Sequence, residues 1–171
     1  MTRALRLTVA DPEAMEALGA RIAARLRAGD TVLLTGELGA GKTTLTRGLG
    51  AALGVRGAVT SPTFVLARTH PRPGGPPLVH VDAYRLSGAR ELDDLDLDFA
   101  SSITVMEWGA GMLEHLVDDW LSVTIERPRG AESAGDVEAL EGEEPIEPRT
   151  VLIEGVGARW GDLGWLHDPG D

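Results

Sequence analysis

Cysteine is absent from these 171 residues, and lysine occurs once, at position 42. Without cysteine there is no disulfide framework, no thiolate metal site and no cysteine nucleophile, and the composition fits a reducing, cytoplasmic setting. No apolar run approaches the ~20 residues that cross a bilayer, so no membrane association is expected. The N-terminal MTRALRLTVADPEAMEALGA carries early arginines, but no unbroken apolar core followed by a small-residue cleavage site, so it does not read as a secretory signal. Positive charge is scarce too: 16 Lys and Arg stand against 27 Asp and Glu, a net charge of -11. That argues against a broad basic surface gripping a phosphate backbone, and any nucleic acid is expected to be held by a partner. No internal repeat is present.

A chain of this length can close one hydrophobic core unaided, and a single domain over residues 1–171 is expected. Alternation at Leu5, Leu7 and Val9 predicts a strand. Ala14, Leu18, Ile22 and Leu26 carry helical spacing after an Asp11-Pro12 start signal. The TVLLTG run at 31–36 reads as a buried strand, and Leu45, Leu49 and Leu53 predict a helix from near Lys42 to Gly54. Further strands are predicted at Phe64–Arg68, Leu78–Val81, Ile103–Glu107, Leu121–Glu126 and Thr150–Glu154. The expected fold class is therefore α/β, a three-layer P-loop NTPase domain whose mixed central sheet is parallel near the phosphate loop and antiparallel toward the C-terminal end. Residues 128–148 hold Glu132, Asp136, Glu138, Glu141, Glu143, Glu144 and Glu147 with few aromatic or β-branched residues. They predict an acidic, solvated, mobile loop between two late strands.

Gly36-Glu37-Leu38-Gly39-Ala40-Gly41-Lys42-Thr43 meets every position of G-x-x-x-x-G-K-[ST], between a predicted strand and a predicted helix. Its glycines let successive N–H groups, Gly39, Ala40 and Gly41 among them, turn toward an anion, and the helix adds its own free N–H groups and positive dipole end. Lys42 is placed to reach the β- and γ-phosphates, the Thr43 hydroxyl to ligate a bridging Mg2+, and Thr44 to donate to an α-phosphate oxygen. The other 15 of the 16 basic residues are arginine, so lysine is used only where a compact ammonium suits a narrow cradle.

Such a loop needs acids to organise metal and water. Asp82 closes PLVHVD and Glu107 closes SITVME, each at the carboxyl end of a predicted strand, where α/β proteins place their ligands. Each is a candidate catalytic residue, and the residues alone do not divide the roles between them.

Four motifs, GELGAGKTT at 36–44, SPTF at 61–64, HVDAYR at 80–85 and MEWG at 106–109, resemble those of the TsaE family (formerly YjeE) in order and separation. That family serves in making N6-threonylcarbamoyladenosine in tRNA. The resemblance implies slow Mg2+-dependent ATP hydrolysis in concert with TsaB and TsaD, ATP turnover resetting an assembly that alone touches the tRNA. It implies Thr43 and Glu107 as magnesium ligands, Asp82 as the family's motif acid, and Trp108 as an aromatic beside the nucleotide base; rim or core packing is the plainer reading of that tryptophan. Ser61 and Thr63 fall in a switch-like loop or an ordinary turn. His80 is read as a hydrogen-bonded strand residue, and Arg85 as an anchor for Glu91, Asp93 and Asp94 rather than an arginine finger. The resemblance spans about residues 5–126 and weakens at the acidic segment. Arg149 marks where the common fold resumes, and Trp160 and Trp165 are expected to pack.

Two rival functions share the phosphate loop. A small-molecule kinase would close an arginine-bearing lid, for which the acidic 128–148 segment is ill suited. A nucleotide-binding switch without turnover would, if it used guanine, need a second lysine that the chain lacks.

Overall fold

Asp11 starts the first helix, its carboxylate accepting from the Ala14 N–H at 2.8 Å, with Pro12 where a missing N–H costs nothing. In this computed structural model, which describes residues 4–37, 39–55, 67–84, 86, 88–127 and 147–166, that helix is α1 (Pro12–Ala23). It follows β1 (Ala4–Val9) and leads to β2 (Thr31–Thr35) and α2 (Lys42–Leu53). Then come β3 (Ala67–His70), β4 (Leu78–Asp82), a short α3 (Ala89–Asp94), β5 (Ile103–Glu107), β6 (Trp120–Glu126) and β7 (Arg149–Val156). Single 3-10 turns lie at Leu113–His115, Ala158–Trp160 and Gly164–Leu166.

The seven strands form one sheet in the order β1-β7-β6-β2-β5-β4-β3. The inner pairs β6-β2, β2-β5 and β5-β4 are parallel. β2 and β5 are almost wholly buried, as runs such as TVLLT and ITVME require when both faces are covered. Antiparallel pairing occurs at both edges, not only at the C-terminal one: β7 runs against β6 and β1, and β3 runs against β4. A four-residue strand such as ARTH carries no local sign of its partner's direction. Of the strand predicted at 64–68, only 67 and 68 fall among the described residues, and β3 extends beyond them to His70.

Side-chain alternation gives the sheet two covered faces. Val32, Leu34, Val105, Val123 and Ile153 meet α1, α2 and the C-terminal turns, where Trp160, Leu163 and Leu166 are buried. Trp165 packs partly buried against the same core, its ring 6.2 Å from that of Trp160, so both tryptophans pack as expected. Leu33, Val79, Val81 and Met106 face the other way, beneath Leu113, Leu95, Leu97 and Phe99. The expected third layer is present, but among the described residues it is built largely of short irregular pieces rather than long helices.

The helix pair α1/α2 is held at close range by two glycines. A methyl at Gly19 would strike the Leu45 carbonyl and lie 2.8 Å from Leu49 N, and one at Gly48 would strike the Glu16 carbonyl and lie 2.6 Å from Glu16 Cα. That approach seals Met15, Leu18, Ile22, Leu45 and Leu49 from water, each contributing about 1.5–3 kcal/mol. α1 stops at Ala23, short of the predicted Leu26. The Arg25 and Leu26 N–H groups turn back to Ile22 and Ala23 carbonyls, so Leu26 packs from a turn. No helix among the described residues is long and apolar enough to cross a membrane.

Candidate active site

β2 ends at Thr35 and α2 begins at Lys42, so the predicted phosphate loop is the whole connection between them. Gly39 (φ 80°) and Gly41 (φ 123°) adopt backbone conformations that a side chain would strain. No side chain caps α2, and its first turn holds no acid, so the helix end offers its N–H groups and dipole to an anion.

Lys42 is buried at 6% exposure, and its Nζ donates to the Gly36 carbonyl and, at 3.4 Å, to that of Glu37. The same ammonium lies 4.2 Å from the centre of the Trp108 ring. Burial pushes the Lys42 pKa down, while the charges of Glu107 and then Asp82 pull it up. Lysine, both predicted acids and the predicted aromatic are therefore brought together. Thr43 and Thr44 occupy the first turn of α2 beside them, half-buried.

The acids sit side by side because β4 and β5 pair in parallel with Asp82 opposite Glu107. Their surroundings differ. Glu107 is buried, and its Oε2 lies 2.7 Å from Nε2 of the fully buried His80. Asp82 is half-buried, with Oδ1 accepting from the Tyr84 N–H at 3.0 Å. His80 is thus the bonded strand residue that was expected, but its partner is a site carboxylate. The carbonyl of Glu107 accepts from the Ala83 N–H at 2.8 Å, which locks the two strand ends together.

Trp108 follows directly with φ 62°, a left-handed conformation rare for a bulky residue. The turn takes its ring off the sheet and over Lys42, with Tyr84 edge-on at 5.4 Å. Trp108 is half-buried rather than enclosed in the core. Ser61, Thr63 and Arg85 lie outside the described residues, as do 128–146 of the acidic segment. Glu147, the last acid of that segment, is not free in solvent: it faces Arg149 at 3.4 Å and Arg127 at 3.6 Å.

Sequence reasoning missed what Arg149 does. Its Nε donates to the Ala40 carbonyl at 3.1 Å and one terminal nitrogen lies 3.5 Å from the Gly39 carbonyl, so β7 braces the predicted phosphate loop from 109 residues away. Nothing local signals this. Because β7 runs antiparallel to β6, with Thr150 opposite Glu126, its first residue arrives at the carboxyl edge of the parallel strands.

The donors at this edge are hydroxyl and carboxylate oxygens, hard ligands of the kind Mg2+ takes alongside water and phosphate. Among the described residues no group of three or more His, Asp or Glu could cage a metal unaided.

The model of the family described as "Threonylcarbamoyl adenosine biosynthesis protein TsaE" matches residues 9–134. Curated relatives named "tRNA threonylcarbamoyladenosine biosynthesis protein TsaE" include one from Streptomyces coelicolor, 57% identical over 150 residues, covering 85% of this chain and 93% of the relative. Another, from Bacillus subtilis, is 35% identical over 159 residues, covering 91% and 89%. The crystal structure of Bacillus subtilis YdiB superposes with a TM-score of 0.67 at 28% identity, covering 94% of this chain and 90% of that one. With the family model spanning most of its length and relatives of this similarity, the chain belongs to the TsaE family of threonylcarbamoyladenosine biosynthesis proteins.

Proposed function

We propose that this chain is the Mg2+-dependent ATPase of the tRNA N6-threonylcarbamoyladenosine machinery, acting in the cytoplasm with TsaB and TsaD and meeting tRNA only through that assembly. One observation carries the ATPase reading: Lys42, Asp82 and Glu107 converge at the uncapped N-terminus of α2.

In this mechanism the backbone N–H groups of Gly39, Ala40 and Gly41 and the end of α2 hold the phosphates, and Lys42 leaves the Gly36 carbonyl to bridge the β- and γ-oxygens. Thr44 donates to the α-phosphate. Thr43 and Glu107 would hold Mg2+, which when bound would neutralise phosphate charge. His80 orients the Glu107 carboxylate for that task, as an outer partner does for a ligand. Asp82, half-exposed and free of a histidine partner, orients the attacking water. As Lys42 turns to the phosphates, Trp108 is left to border the nucleotide base.

The test is reconstitution of tRNA modification with TsaB, TsaD, the threonylcarbamoyl-adenylate donor and tRNA, with and without this chain and ATP. Multiple turnovers are expected only with both present, and Lys42→Ala is expected to behave as omission. Unchanged turnovers without the chain, or phosphoryl transfer from ATP to a discrete metabolite, would overturn the assignment.

A further inference from the structure

Resting on the nucleotide reading above, we propose that Arg149 is a positioning residue for the phosphate loop, holding the Ala40–Gly41 peptide so that the Gly41 N–H faces the bound phosphates. In a planar trans peptide the carbonyl and the N–H point in opposite directions. With the Ala40 carbonyl held by Arg149 Nε at 3.1 Å, the Gly41 N–H is directed away from the guanidinium. Left to itself this peptide has little to fix it. It leads into Gly41 at positive φ, so rotation on that side meets no side chain of its own, and on the other side it is flanked only by the small methyl of Ala40.

A planar fork suits the task. While Nε holds Ala40, one terminal nitrogen reaches toward the Gly39 carbonyl at 3.5 Å, and the other donates to the Glu147 carbonyl at 3.1 Å. The Glu147 carboxylate, itself facing Arg127 at 3.6 Å, offsets the charge. Arg149 is thereby set before any ligand arrives, and its contribution is geometric more than coulombic. A lysine carries the charge but not the fork. Arg149 lies beyond residues 9–134, the part of the chain that the family model matches.

The experiment compares the full-length wild type with Arg149→Gln, Arg149→Lys and Lys42→Ala. Amide hydrogen exchange is followed without nucleotide, and the Kd is measured for a fluorescent ATP analogue with Mg2+. Both Arg149 variants are expected to speed exchange of the amides at 39–42 by about tenfold while β6 and β7 are unchanged, and to weaken the analogue by about tenfold. Unchanged loop exchange, an unchanged Kd, or acceleration spread equally through β6 and β7 overturns the inference. So does full rescue by Arg149→Lys, since charge alone would then suffice. If Arg149→Gln does not fold, Arg149→Lys supplies both readouts. Failure of the wild type to bind the analogue counts against the nucleotide reading itself. Binding that Lys42→Ala abolishes and both Arg149 variants retain sinks only this inference.

Discussion

Gly48→Ala is expected to unfold the protein more easily although alanine is the better helix former. The added methyl would sit 2.6 Å from Glu16 Cα against the 3.4 Å at which ordinary contact begins, so the helices must part by at least 0.8 Å. No rotamer change relieves the clash, because the obstacle is the backbone of α1. Overpacking costs about 1–3 kcal/mol, and a rigid obstacle belongs at the upper end. The gain in helix propensity returns about 0.5–1 kcal/mol. The net is a loss of about 2 kcal/mol, or roughly 4–8 °C in melting temperature for a chain of this size. Urea and thermal unfolding of Gly48→Ala, with Gly54→Ala as comparator, provide the assay. Gly54 closes α2 at φ 74° in open space, so its loss comes from backbone strain alone, about 1 kcal/mol. A Gly48→Ala protein as stable as wild type would refute the close α1/α2 contact. Since α2 begins at Lys42, the same variant should also weaken nucleotide binding.

The lowered pKa of Lys42 has a signed consequence. The unfolded chain keeps this proton to higher pH than the folded one, so wild-type stability should rise with pH between the lowered folded value and 10.5, a slope that Lys42→Met should lack. Parallel urea midpoints for the two proteins from neutral pH upward would rule this out. Glu107→Gln should fold yet lose Mg2+-dependent ATP turnover by about a hundredfold. His80→Ala, which releases the Glu107 carboxylate, should cost about 10–100-fold in Mg2+ affinity or turnover. Turnover retained in Glu107→Gln would remove that residue from the metal site.

Much of the site could be read from the chain because its signals are local. The glycines at 36, 39 and 41, the lone lysine and the leucines at 45 and 49 lie within one strand-loop-helix unit, so spacing alone implies the loop and the buried face of α2. Asp82 and Glu107 were visible as acids closing apolar runs, and they do stand at adjacent strand ends. Trp108 was visible as a motif residue, but its place over Lys42 depends on a left-handed backbone that no pattern announces.

What the sequence determined by itself was a glycine-rich strand-to-helix loop, its helix and the strands around it, since short-range periodicity and turn chemistry specify them. Strand order and direction come from long-range packing, and only the tertiary structure decided them. Parallel pairing of β4 with β5 set His80 against Glu107, and antiparallel β7 delivered Arg149 to the loop carbonyls. Both contacts join residues distant along the chain, and such partners become neighbours only when the sheet closes.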